Sequence, residues 1–141
     1  MNKNTIALTI LSLLLLTACQ QKTTQIIFEN NKTIDAEIAQ TDAELQKGLM
    51  YRQELAENTG MLFILPSEEK TNFWMKNTTI PLDIIFLNSN KTIVHIANAV
   101  PCKQDPCTLY SSEKPTKYVI EVNAGYCKKN SIIQGQTVTF K

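Results

Sequence analysis

The sequence predicts a mostly β domain of the α+β class, a compact bent sheet or partly closed barrel of about eight short strands with two short helices. Its apolar stretches are short and either alternate with polar residues, as in 33–39, or are rich in β-branched and aromatic residues, as in 82–87. Segments rich in Asn, Ser and Lys, such as 30–32 and 88–91, separate them as turns. A capped helical pattern follows residue 40, and a second short one precedes the last strand.

The first elements are a hairpin and a helix. Residues 25–29 and 33–39 are predicted strands joined by a tight turn. Thr41 and Glu44 then have the spacing of a capping box, in which each side chain binds the other residue's backbone amide. The helix that starts there is expected to end near Gly48.

The central elements are four strands. A short buried strand at 60–65 is followed by a charged turn at 67–71 and a further strand at 72–76. Residues 82–87 are almost continuously apolar, which indicates a strand buried on both faces. With 92–99 they form a predicted hairpin.

The C-terminal part begins with a loop. Residues 100–115 contain three prolines and two cysteines and are expected to form a long surface loop. A strand at 118–122 follows, and Asn123 is a candidate cap for a short helix at 124–129. A closing strand is predicted at 137–140.

Several motifs, in order along the chain, resemble one protein family. They are Gly48–Arg52, Gly60–Phe63, Phe73–Thr78, Ile80–Asp83, Pro101–Cys102 with Asp105–Cys107, and Asn123–Gly125. Together they resemble the bacterial and archaeal family called domain of unknown function 192. The resemblance implies a compact, mostly β domain of exported proteins, and it implies no particular reaction.

The N-terminal leader predicts export and lipid attachment. Lys3 precedes an apolar run at 6–16, which is too short for a comfortable transmembrane helix of about 20 residues. The run ends in Leu-Thr-Ala-Cys, which resembles the lipobox of bacterial lipoproteins. We therefore expect residues 1–18 to be a signal peptide and Cys19 to carry palmitate and the membrane anchor.

This leader also predicts the domain organisation and the location. Residues 19–24 are polar and lack periodicity, so they are predicted to be a tether before a single domain at 25–141. The protein is expected in the cell envelope, facing the periplasm or the exterior. Gln20 rather than Asp after the cysteine favours the outer membrane if the cell has two.

The charge balance argues against nucleic-acid binding. The chain has 14 Lys and Arg against 13 Asp and Glu, and removing residues 1–18 takes away only Lys3. No basic excess remains to hold a phosphate backbone. We expect a monomer without a cofactor, whose partners are the membrane and an unknown ligand or protein of the envelope.

Two of the remaining cysteines predict a disulfide. Cys102 and Cys107 are five residues apart in the proline-rich loop, and an exported protein lies in an oxidising compartment. Their spacing is not the Cys-x-x-Cys of thioredoxin-like redox sites, so a loop staple is favoured over a redox pair. Cys127 has no assigned partner and is expected to be a small buried residue.

A binding cleft is the favoured functional site. Its candidate residues are an aromatic side chain surrounded by donors, acceptors and charges: Arg52, Trp74, Lys76, Asn77 and Asp83. In a strand, Trp74 and Lys76 share one face while Phe73 and Met75 share the other. The competing interpretation is architectural, with Trp74 in the core and Asp83 paired with Arg52 or Lys76.

No metal site is predicted, although a soft one is the alternative. Thioether sulfurs bind Cu(I), so Met50, Met61, Met75 and His95 could together handle copper. Core packing explains the methionines more simply. A single histidine and the lack of a recognisable nucleophile leave no catalytic residues to assign, so an undetected hydrolase or redox helper is the least favoured alternative.

Overall fold

A computed structural model describes residues 21–141 of the chain. The predicted signal peptide and Cys19 lie outside these residues. Nine strands and two short helices form the described part, which confirms the predicted fold class. The elements are β1 (Thr23–Phe28), β2 (Thr33–Ala39), α1 (Asp42–Lys47), β3 (Thr59–Glu69), β4 (Asn72–Trp74), β5 (Leu82–Leu87), β6 (Ile93–Ala99), β7 (Leu109–Ser111), β8 (Thr116–Asn123), α2 (Tyr126–Lys129) and β9 (Val138–Phe140).

Seven strands form one sheet that curls into a half-barrel. Their order is β6-β5-β8-β3-β2-β1-β9, and β4 pairs with β7 in a separate small sheet. All neighbours are antiparallel except β2 and β3, which α1 connects as a parallel crossover. An isolated bridge between Thr92 and Thr137 joins the two edges of the sheet at one end, so the barrel is partly closed.

The sheet separates two hydrophobic clusters. The inner core lies inside the curl, receives side chains from all seven strands and is completed by α2. The outer core lies on the opposite face, beneath α1, the small sheet and the disulfide loop. Strand β5 is buried at every position, as predicted, because both clusters pack against it. Among residues 21–141, no helix has the length and apolar character needed to cross a membrane.

The start and end of α1 agree with the sequence. The Thr41 hydroxyl accepts a hydrogen bond from the Glu44 amide, and the Glu44 carboxylate accepts one from the Thr41 amide at 2.9 Å. The hydrogen bonds that the Glu44 carboxylate accepts from the Gln40 and Thr41 backbone amides lower the pKa of Glu44. Gly48 ends the helix with a φ of 46° and brings the chain onto the ring of Phe63, where a Cβ atom would lie 3.1 Å from the ring.

Strand β3 is longer than predicted. The sequence indicated a stop at Pro66, but the strand continues to Glu69. Its pairing with β8 is irregular between Ile64 and Glu69, so the missing amide of Pro66 costs no ladder hydrogen bond. The Lys117 ammonium instead donates to the carbonyl of Leu65 at 2.7 Å.

Three other sequence-based boundaries were wrong. The predicted loop 100–115 contains β7, whose pairing with β4 the sequence did not reveal. Strand β1 begins at Thr23, two residues before the predicted start at residue 25, because it pairs with β2 from its first residue. Gly125 rather than Asn123 occupies the N-cap of α2, and the Asn123 amide donates to the Leu55 carbonyl at 2.7 Å.

Candidate functional site

A buried acid lies under the outer layer of the domain. Glu121 is on β8, in register with Met61 of β3 and Ile84 of β5, and its side chain faces the outer core beside Val119. It is only 5% exposed. Within residues 21–141, its carboxyl group forms no hydrogen bond or ion pair, and its oxygens retain some solvent contact. Burial raises the pKa of Glu121 to about 8, so the carboxyl is mostly protonated at neutral pH.

This carboxyl reaches a narrow cavity between the sheet, α1 and β4. The cavity has a volume of about 40 Å³, enough for one small polar group. Lys47 is the only other charged side chain that lines it. We call it the Glu121 cavity; its lining consists of Leu45, Gln46, Lys47, Gly48, Leu49, Met50, Phe63, Phe73, Trp74, Thr78 and Glu121.

Trp74 stands at the rim of this cavity. Its side chain is 47% exposed, whereas Met75 is buried, which is the alternation that a strand requires. In the small sheet Trp74 pairs with Leu109, another exposed apolar residue. The Lys76 ammonium lies 5.8 Å from the centre of the indole ring and is also 3.2 Å from the Asp105 carboxylate.

Arg52 and Asn77 lie in the two segments next to this rim. Neither of them lines the Glu121 cavity. The Arg52 guanidinium pairs with the Glu37 carboxylate of β2. The Thr79 hydroxyl donates to the Arg52 carbonyl, and the Tyr51 amide donates to the Asn77 carbonyl, both at 2.8 Å. These bonds join the segment after α1 to the turn after β4.

Asp83 is not brought to the cleft. It is fully buried on the other face of β5, in the inner core. Its carboxylate accepts hydrogen bonds from the Asn98 amide at 2.7 Å and from the Cys127 backbone amide in α2 at 2.9 Å. Burial raises the pKa of the Cys127 thiol, and the neighbouring Asp83 carboxylate acts in the same direction. Asp83 therefore caps the first turn of α2, although it is 44 residues away in the sequence. It does not line the predicted cleft but lies in the interior.

The four residues of the alternative copper site are not gathered in one place. Met50 and Met61 line a common cavity near α1. Met75 is buried beside the disulfide loop instead. His95 lies on β6 with its ring 5.8 Å from that of Phe86 and its Nδ1 atom 3.7 Å from the Glu113 carboxylate.

A disulfide joins Cys102 and Cys107 at the tip of the loop between β6 and β7. The Cys102 amide lies 3.4 Å from the Met75 carbonyl, which ties the loop to the turn after β4. The loop borders a cavity of about 580 Å³ that is lined by Met75, Val100 and Pro101 among others.

Replacing both Cys102 and Cys107 by serine should lower the stability only modestly. The bond spans five residues, so its effect on the unfolded chain is about 2 kcal/mol at most. Thermal unfolding should stay cooperative with a slightly lower midpoint, and reductant should shift the unmodified protein by the same amount. Non-reducing peptide maps that contain only free thiols at both positions would contradict the bond itself.

Glu121 is the residue that sequence reasoning missed. The sequence places it only in a predicted strand, outside the motif around Trp74. The available signal was a single acid inside the apolar run 118–122. Glutamate is rarely buried without a partner, so such a position in a central strand indicates either a concealed ion pair or a site.

Comparisons with known proteins place this geometry among similar folds. The family model DUF192, described as an uncharacterized ACR, matches residues 25–140. The UPF0127 protein PF1050 of Pyrococcus furiosus is 30% identical over 90 residues, which cover 62% of this chain and 71% of that protein.

Two solved structures are similar over most of the chain. One, from Sinorhizobium meliloti 1021, carries a name that suggests a transcription regulator; it has a TM-score of 0.75 at 33% identity and covers 86% of this chain and 94% of its own. The other is a protein of unknown function from Novosphingobium aromaticivorans, with a TM-score of 0.76 at 35% identity and 88% coverage of both chains.

Proposed function

This chain belongs to the DUF192 family, and we propose that it is a non-catalytic binding module held in the cell envelope by lipid on Cys19, as the Leu-Thr-Ala-Cys motif indicates. Its site is the Glu121 cavity, with Trp74 at the rim. The observation that carries the proposal is the Glu121 carboxyl, which is buried beside a cavity of mostly apolar and aromatic residues and forms no hydrogen bond or ion pair with the described residues.

An unpartnered carboxyl at this depth lowers stability, because folding removes most of its contact with water without supplying a hydrogen bond from the protein. Groups of this kind are concentrated at functional sites, where a ligand supplies the missing partner. The inner core shows the contrast: the Asp83 carboxylate is more deeply buried, yet both of its oxygens accept hydrogen bonds. Glu121 is thus an acid whose partner comes from outside the chain.

The cavity favours a primary ammonium group carried by a larger ligand. The space of about 40 Å³ admits only a small terminal group. An ammonium would pair with the carboxylate and contact the aromatic rings of Phe63, Phe73 and Trp74, which attract cations. The remainder of the ligand would lie on the exposed indole of Trp74. Among the described residues that line the cavity, Glu121 is the only acid, so the second carboxylate of a paired acid–base mechanism is lacking there.

Ethylammonium and ethanol, which have the same number of heavy atoms, test this assignment. Trp74 is the only tryptophan, so its fluorescence reports on the rim. Ethylammonium should change this fluorescence saturably and ethanol should not. Binding should tighten as the pH rises toward 8, because the carboxylate form becomes more populated. The residues in register with Glu121 on β3 and β5, Met61 and Ile84, carry no titratable group.

The matched variant is Glu121→Gln, which keeps the size of the side chain and removes its charge. It should lose the response to ethylammonium. An equal response in this variant, or an equal response to ethanol, would show that the carboxyl does not select the ligand and would contradict the proposal.

Two other functions have weaker support. Copper handling would require thioethers that converge, and only Met50 and Met61 share a cavity. A regulatory role on DNA, suggested by the name of the Sinorhizobium protein, is not proposed for this chain, because its net charge of +1 offers no basic surface for a phosphate backbone.

A further inference from the structure

We propose that the face around the Glu121 cavity lies against the lipid surface to which Cys19 attaches the chain. The inference rests on the lipid anchor in the proposed function. It adds an orientation: the membrane is a docking partner of one particular side of the domain, and the cavity belongs to that side.

The first argument is the length of the tether. Gln21 lines a cavity of about 520 Å³ next to α1, together with Lys47, Met50 and Tyr51. Cys19 precedes Gln21 by two residues. Because an extended residue spans about 3.5 Å, an acylated Cys19 keeps this surface within roughly a nanometre of the lipid.

The second argument is that this surface and the Glu121 cavity are continuous. The cavity that contains Gln21 and the Glu121 cavity share Lys47, Gly48 and Met50 as walls. Trp74 stands at the rim of the second. We call the surface formed by Gln21, Lys47, Met50, Tyr51 and Trp74 the tether face.

The third argument is the chemistry of the tether face. Tyr51 is 68% exposed and Trp74 is 47% exposed. Aromatic rings with a polar atom favour the boundary between lipid and water, and lysine side chains such as those of Lys47 and Lys76 reach from that boundary to the headgroups. An aromatic pair beside lysines therefore fits a lipid surface better than bulk water.

The backbone of Tyr51 adds independent support. Its φ of 65° lies in the left-handed region, which is uncommon for a bulky residue. The hydrogen bond from the Tyr51 amide to the Asn77 carbonyl, 2.8 Å long, holds it there. Asn77 also has a positive φ, of 56°. A bulky residue held in this conformation with its ring exposed supports a use for the outward position of Tyr51.

The experiment uses the acylated full-length protein in vesicles of phosphatidylglycerol and phosphatidylethanolamine whose acyl chains are brominated. Bromine quenches indole fluorescence only at close range, and Trp74 is the only indole. We expect a marked loss of Trp74 fluorescence relative to vesicles of the same lipids without bromine. Vesicles should also protect Trp74 from acrylamide in the surrounding water.

A relocated tryptophan provides the matched control. Ile133 is exposed and lies in the segment before β9. This segment contacts the far end of β1 from Gln21, because Asn130 and Thr137 on either side of it hydrogen bond to Asn30 and Glu29. The double variant Trp74→Phe, Ile133→Trp keeps the lipid on Cys19, which holds it to the vesicles, and its single indole at position 133 should not be quenched by brominated lipid.

The outcomes separate the two proposals. If the acylated protein binds vesicles while Trp74 is quenched by acrylamide and not by bromine, the docking is overturned and the anchor stands. Equal bromine quenching at positions 74 and 133 also overturns it, because no side is then preferred. A mature chain without lipid on Cys19, checked by its mass and by comparison with Cys19→Ser, overturns the anchor and the docking together.

Discussion

Replacing Glu121 by glutamine is expected to stabilise the protein by several kcal/mol at pH 8 and to remove a fall in stability between weakly acidic and weakly alkaline pH. The reason is that Glu121 releases its proton more easily in the unfolded chain, with a pKa near 4.5, than in the folded protein, where burial raises the pKa to about 8. Glutamine occupies the same space and has no proton to release.

The sign of the effect follows from proton binding. Below pH 4.5 both states hold the proton, and the contribution of Glu121 to stability is fully present. Between pH 4.5 and about 8 the unfolded state binds fewer protons, so the free energy of unfolding falls by up to about 1.4 kcal/mol per pH unit. Above that window the loss is complete and constant.

Urea denaturation at several pH values measures this difference. The free energies of the wild type and Glu121→Gln should be similar near pH 4.5 and diverge steadily as the pH rises, while the exposed control Glu54→Gln should follow the wild type. Parallel curves for wild type and Glu121→Gln would mean that solvent or a partner keeps the pKa of the carboxyl near its ordinary value. That result would refute both the raised pKa of Glu121 and the proposal that its carboxyl binds a ligand.

Replacing Asp83 by alanine is expected to lower the free energy of unfolding by roughly 3 kcal/mol or more. The change leaves the buried backbone amide of Cys127 and the partly buried side-chain amide of Asn98 without their acceptor. A buried donor without an acceptor costs about 1–3 kcal/mol, and the loss of the buried carboxylate's packing adds to it. The amide of Cys127 belongs to the first turn of α2, so the helix that completes the inner core should loosen as well.

Thermal and urea unfolding measure this loss of stability, and two further variants serve as controls. Asp83→Asn keeps one acceptor oxygen and should lose less stability than Asp83→Ala. Asp35→Ala removes an exposed acid of β2 and should change little. A stable Asp83→Ala variant with an altered ligand response would restore Asp83 to the site and refute its structural role.

The fold could be predicted where local patterns agree with tertiary packing. The capping box of Thr41 and Glu44, the apolar run of β5 and the turn that follows it each encode their structure within a few residues. Strand β7 could not be predicted, because its only partner is β4, more than thirty residues earlier, and its three residues have no distinctive pattern. Pro66 misled the prediction because its cost depends on an interruption of the ladder that only the assembled sheet shows.

The candidate site was predictable in part for the same reason. Strand alternation is a local property, and it placed Trp74 and Met75 on opposite sides. Asp83 obeys the same alternation, but the sequence does not reveal which side of β5 faces the inner core. The site at Glu121 could not be predicted, because its environment is built by α1 and β4, which approach β8 only in the folded molecule.

The central position of β8 also has a kinetic consequence. It lies between β3 and β5, both of which precede it in the chain, so the hairpin of β5 and β6 cannot join the rest of the sheet until β8 has been made. Pairings between distant segments make folding slow, and here they concentrate in one late step. The amides of β8 should therefore exchange with solvent hydrogen only when the whole domain unfolds. Because Glu121 is on β8, the floor of the cavity should form only when the whole sheet forms and should be lost only on global unfolding.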